Sequence, residues 1–108
     1  METICIATNK GVEFHKVSNI IRVQAMSNYC RIYFADNRHP LTVAKVLHWF
    51  EEHLPAEVFW RTHKTHIVNN NYIEKIHASN KSYLVLNNGE TIAVSRRRSS
   101  SLKKHRIA

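Results

Sequence analysis

The chain has 108 residues, with 16 Lys and Arg against 8 Asp and Glu, 8 His and a formal net charge of +8. That length fits one domain around one buried core, and the sign of the charge points to nucleic acid, an anionic surface or an acidic partner. No basic N-terminal stretch leads into a long apolar run and no apolar segment approaches the length of a bilayer, so a signal peptide, a membrane span and a membrane partner are set aside, and a soluble, cytoplasmic protein is the expectation.

Short β-rich runs punctuated by Asn and Asp dominate the chain. The spacing predicts strands near 3–8 and 12–15 about "NKG", then near 19–26 and 29–35 about Ser27 and Asn28. In the third run Ile21, Val23 and Ala25 alternate onto one face, with Arg22 on the other. In the fourth run Cys30, Ile32 and Phe34 do the same, with Arg31 and Tyr33 opposite. From Val43 the period changes. Val46, Leu47, Phe50 and Leu54 continue an amphipathic helical stripe with Glu51 and Glu52 outside it, Thr42 as N-cap and Pro55 as stop, and this helix is expected to plug one open end of the sheets.

Strands resume near 58–63, 66–69, 73–79, 82–87 and 90–94. Leu84 and Leu86 share a face, and Asn88-Gly89 marks a hairpin through a type I′ turn. Ser95 then caps a short C-terminal helix, weakened by consecutive serines and anchored by Leu102 and Ile107. Half-buried alternation of this kind makes an antiparallel all-β protein. Cys5 and Cys30 have no paired spacing and read as small buried apolar groups.

Chemistry is sparse. The carboxylates are scattered, no serine or cysteine sits in a nucleophile motif, and an enzyme is not expected. His63 and His66 stand three apart, which on one strand puts them on opposite faces, and no further ligand cluster completes a metal site. Two isolated glycines cannot build a phosphate loop, so no cofactor is expected either. Basic material remains. Six basic and no acidic side chains follow Glu90, and "SRRR" at 95–98 leaves a strand directly, so its guanidinium groups start from a rigid sheet edge. Two loop tips look similar in character: Met26-Ser27-Asn28-Tyr29, and Lys64-Thr65 between the strands on either side.

"FWRTHKTHIVNNNYIEKI" resembles the signature of LytTR-type DNA-binding domains, output modules of bacterial two-component response regulators of the LytR/AlgR kind. The matching positions are Phe59, Arg61, His63, Lys64, Thr65, Val68, Asn69, Tyr72 and Ile73. "QAMSNYCRIYF" and "NNGETIAVSRRR" resemble the family's strand-loop-strand and its final hairpin with the Val-Ser-Arg-Arg ending. Thr65 and His66 depart from the commoner residues at their places. The resemblance implies an elongated all-β assembly of about ten short strands in small antiparallel sheets, with one amphipathic helix and a short C-terminal helix.

It also implies loops inserted in successive major grooves of bent double-stranded DNA, with pairs of domains on direct repeats. Transcription regulation in a phosphorelay is the implied role, with an upstream receiver domain as partner if the chain is a fragment. Carried over by position, the DNA-binding residues are Asn28, Tyr29, Lys64, Thr65, Ser95, Arg96, Arg97 and Arg98, with Lys64 and Arg96 as readers of base edges, while His63 is expected to bond backbone in its turn. The alternative is a β-rich RNA or single-strand module that stacks bases on Tyr29, Tyr33, Trp49 and Trp60. A third class, a protein-interaction or anionic-surface module, rests on charge alone.

Overall fold

The computed structural model describes residues 2–99. Ten strands and two helices follow in order: β1 (Thr3–Thr8), β2 (Gly11–Lys16), β3 (Ile20–Met26), β4 (Tyr29–Phe34), β5 (Leu41–Val43), α1 (Leu47–His53), β6 (Phe59–His63), β7 (His66–Asn69), β8 (Ile73–His77), β9 (Tyr83–Leu86), β10 (Thr91–Ala93) and α2 (Arg96–Ser99). Single 3-10 turns at Val17–Asn19 and Asn70–Tyr72 lead into β3 and β8. The strands form a β1-β2 hairpin, a five-stranded sheet β5-β4-β3-β7-β6 and a three-stranded sheet β10-β9-β8, all antiparallel. The molecule measures 43 × 27 × 23 Å, so the expected elongated all-β assembly is what forms.

Two hydrophobic clusters, rather than the expected single core, cover the two faces of the five-stranded sheet. On one face Ile20, Val23, Cys30, Ile32 and Ile67 pack with Ile4 and Ile6 of the hairpin and with Leu47, Phe50 and Leu54. On the other, Ile21, Trp60 and Val68 pack with Leu84, Leu86 and Ile92 of the three-stranded sheet. Ile21 and Val23 therefore do not share a face. Between Ile20 and Arg22 the register to β4 slips by one residue, and this β-bulge turns Ile21 to the second cluster. Arg22 is buried rather than displayed, and Cys5 is exposed rather than buried, because Ile4 and Ile6 take the inward face of β1.

The helix is shorter than its apolar stripe. Thr42 and Val43 belong to β5, opposite Arg31 and Cys30, so Thr42 is no cap. The N-cap is Val46, whose side chain is exposed. Leu54 is extended just before Pro55, as the residue preceding a proline should be. The helix packs against β3 and β7 and so covers a sheet face instead of plugging an end. Nor is the β9-β10 turn of type I′. Gly89 has positive φ (88°) but Asn88 does not, and the Leu86 carbonyl accepts from Gly89 N–H, a three-residue loop with glycine in the left-handed position.

Asn69 ends β7 with no exposed surface. Its Nδ2 donates to the Ile20 carbonyl at 2.9 Å and its Oδ1 accepts from Asn71 N–H at 2.9 Å, so one side chain ties the exit of β7 to the start of β3. Asn69→Asp keeps the shape but opposes an oxygen to the Ile20 carbonyl. It is expected to cost roughly 2–4 kcal/mol, because a charged group is buried and a carbonyl loses its donor. The measurement is the urea midpoint at pH 7, and a midpoint equal to that of the parent would refute this role for Asn69.

Candidate nucleic-acid interface

The two-residue turn between β3 and β4 closes on the Met26–Tyr29 pair and sets Ser27 at φ 61°, which lifts Asn28 into solvent beside a half-buried Tyr29. The turn between β6 and β7 closes on the His63–His66 pair with Lys64 exposed. Because β7 lies beside β3, these tips share one end of the sheet, and Ala25 N–H donates to the Thr65 carbonyl at 2.8 Å to join them.

The third segment joins through a second β-bulge. The register of β6 slips between Arg61 and His63, so Thr62 is the extra residue, and its carbonyl accepts from Ser95 N–H at 2.9 Å. Ser95 then caps α2, its Oγ and carbonyl accepting from Arg98 N–H at 3.3 and 3.0 Å. Arg96 and Arg97 are exposed, while Arg98 is half-buried and reaches to 3.9 Å from Glu51. The proposed anchors Leu102 and Ile107 lie outside the described residues. All eight residues singled out by sequence thus fall on three segments that backbone hydrogen bonds connect, and none of these segments carries a carboxylate.

Two arginines to which the sequence assigned no bracing role hold this end in shape. Arg61 donates from Nη2 to the Lys64 carbonyl (2.9 Å), from Nε to the His63 carbonyl (3.4 Å) and from Nη1 to Glu51 (2.9 Å), so it braces the tip from behind. Burial raises the Glu51 carboxyl, but the Arg61 hydrogen bond and charge, with His48 and Arg98, hold it below the usual carboxylate range. Arg22 stacks over the Tyr33 ring (3.7 Å), donates to Gln24 (3.1 Å) and pairs with Glu90 (2.8 Å), clasping the five-stranded sheet to the three-stranded one. Hydrogen bonds from Arg22 lead the causes that lower the Glu90 carboxyl. A Phe-x-Arg pattern does not announce a brace, and only the position of Arg61 directly before the polar interruption hinted at it.

His63 and His66 do not sit on one strand, so the opposite-face argument fails. The turn brings both rings to Thr65, whose Oγ1 lies 2.9 Å from His63 Nδ1 and 3.1 Å from His66 Nδ1, while Thr65 N–H donates to His63 Nδ1 at 3.3 Å. The consistent proton assignment runs His66 Nδ1–H to Thr65 Oγ1 and Thr65 Oγ1–H to His63 Nδ1. His63 therefore bonds backbone, as expected. Among the described residues no group of three or more His, Cys, Asp or Glu is arranged to hold a metal, and no helix is long and apolar enough to cross a membrane.

The family model for the LytTr DNA-binding domain matches residues 10–106 of the chain. The chain belongs to the LytTr DNA-binding domain family. A solved LytTr DNA-binding domain, from a Bacillus cereus protein described as a methyl-accepting/DNA response regulator, superposes with a TM-score of 0.79 at 25% sequence identity, covering 96% of this chain and 95% of that one. Comparison with curated proteins finds no match. For this LytTr domain the β1 strand lies outside the family match, whereas all three tip segments lie inside it.

Burial, then the charges of Arg22 and His63, lower His66 from 6.5 to about 4. The unfolded chain takes up this proton as pH falls through 6.5, while the folded LytTr domain resists it until about 4, so stability conferred above 6.5 is lost progressively between those values. With the ring partly exposed, the expected loss is about 1–2 kcal/mol. Urea midpoints measured from pH 7 to pH 4.5 should decline, with a shallower slope in His66→Gln. An identical slope in that variant would assign the effect elsewhere.

Proposed function

We propose that this domain binds double-stranded DNA sequence-specifically, with its loop tips in the major groove, and regulates transcription as the output module of a cytoplasmic two-component response regulator. The observation that carries this reading is the linkage of three carboxylate-free tips along one end of the molecule by the Ala25–Thr65 and Thr62–Ser95 hydrogen bonds. A duplex presents phosphates and base edges to one side of a protein, and a single rim of donors suits it. Arg96 and Lys64 are assigned to base edges, where a guanidinium takes guanine O6 and N7 together. Asn28, Tyr29, Ser95, Arg97 and Arg98 position the phosphates. Thr65 shapes its tip instead, since both of its donors face His63 in the proton assignment above. Paired domains on direct repeats, and a receiver domain coupled to this one, complete the proposal. No catalytic step is part of it.

Of the four aromatics that the single-strand reading uses, three are engaged: Trp60 is buried in the second cluster, the Arg22 guanidinium covers one face of the Tyr33 ring, and Trp49 stacks on His53 at 4.1 Å, which leaves Tyr29 alone at a tip. Base stacking needs open ring faces on the binding side.

Selection of duplexes from a random library, run in parallel on the parent and on Arg96→Ala, tests the proposal. The parent should return a defined site. The variant should lose preference at one position, by about 1–3 kcal/mol there, while still binding. Full site preference in Arg96→Ala would remove its assigned role, and no enrichment by the parent, or equal affinity for single strands, would remove the proposal.

A further inference from the structure

A groove of about 520 Å³ opens beside the first tip, between the turn that joins β1 to β2, the β3-β4 turn and β5. Its polar lining is Thr8, Asn9, Asn28, Tyr29 and Thr42, over small apolar side chains, and no carboxylate lines it. Glu13 approaches Thr8 Oγ1 at 3.4 Å but is itself engaged by His15 at 2.9 Å. The hairpin turn is built to stand at this place: Thr8 Oγ1 donates to the Gly11 carbonyl and accepts from Lys10 N–H, both at 3.1 Å, which fixes the turn and leaves the Lys10 side chain exposed at its tip.

We infer that this groove, with the exposed Lys10 on the turn that bounds it, receives the sugar-phosphate backbone of the same duplex, as a fourth contact beyond the three tips. The inference rests on the duplex-binding reading above. Neutral amide and hydroxyl groups beside one ammonium are the chemistry of phosphate positioning, which fixes register without reading sequence. One wall of the groove is the first tip itself, so a duplex engaged by Asn28 and Tyr29 carries its backbone past the opening. Thr8 and Asn9 precede the stretch matched by the family, so this surface is contributed partly by residues the family match does not include.

The test measures affinity for the selected duplex and for an unrelated duplex over a salt series. Lys10→Gln should bind both roughly threefold to tenfold more weakly and reduce the slope of log affinity against log salt by about 0.9, with site preference unchanged. Lys10→Arg should restore the slope. Lys16→Gln, an exposed lysine at the opposite end of β2, should leave it unaltered and so separates contact from net charge. All three changes are at exposed positions outside the clusters, and heat denaturation checks the fold. A parent that selects a site while Lys10→Gln keeps its affinity and slope overturns the groove contact alone. Equal losses in Lys10→Gln and Lys16→Gln overturn it as well, and a parent that prefers no duplex overturns the reading beneath it.

Discussion

Everything in this molecule follows from a five-stranded sheet whose strands β3, β6 and β7 are buried on both faces. Its central strand β3 puts Ile20 and Val23 into one cluster and Ile21 into the other, and its neighbour β7 divides Ile67 and Val68 in the same way. Strands covered twice have no face left for a ligand, so the polar function of these three is confined to their ends, where turns leave the layers. The two β-bulges make this compatible with the sequence. One lets Ile20 and Val23, three residues apart, share a side, and the other frees the Thr62 carbonyl for Ser95. The surface that would meet DNA is thus a by-product of how the layers close.

The charge distribution divides along the same line. Arg22, Arg38 and Arg61 are each held by a carboxylate, from Glu90, Asp36 and Glu51 respectively, and serve geometry more than ligand binding. Glu51 has the wider reach, because Arg61 braces the second tip and Arg98 approaches it from α2. One helix residue thereby connects two of the three segments electrostatically. Isolated surface pairs contribute little, but here the partly buried Arg61 also donates to two turn carbonyls, so the network fixes a loop shape rather than adding bulk stability.

Strand order and type were legible because half-buried strands print a period of two: Cys30, Ile32 and Phe34 alternate and are all buried as read. The family signature located the tips, and the strands between them proved to be neighbours. Features that depend on pairing rather than pattern were not legible. Three-residue β5 is too short to show a period, so in sequence Val43 reads as the start of the helical stripe, although it pairs with Cys30. The bulge at Ile21 reversed a face assignment that alternation alone made reasonable. Arg22 looked displayed because its partner Glu90 lies far away in sequence, and no local pattern encodes a contact at that separation. Residue type alone points Cys5 inward, whereas its neighbours Ile4 and Ile6 decide the face.

The polar interruption between Phe59 and Ile73 now has a physical account. His63, Thr65 and His66 are mainly partners for one another, and Lys64 is the side chain they display. The chain of bonds runs from His66 Nδ1–H to Thr65 Oγ1 and on to His63 Nδ1, which also accepts from Thr65 N–H, and burial keeps the His66 ring uncharged down to about pH 4. Lys64 is thus the cation that this tip presents to solvent, and a contact made through it should weaken as salt rises.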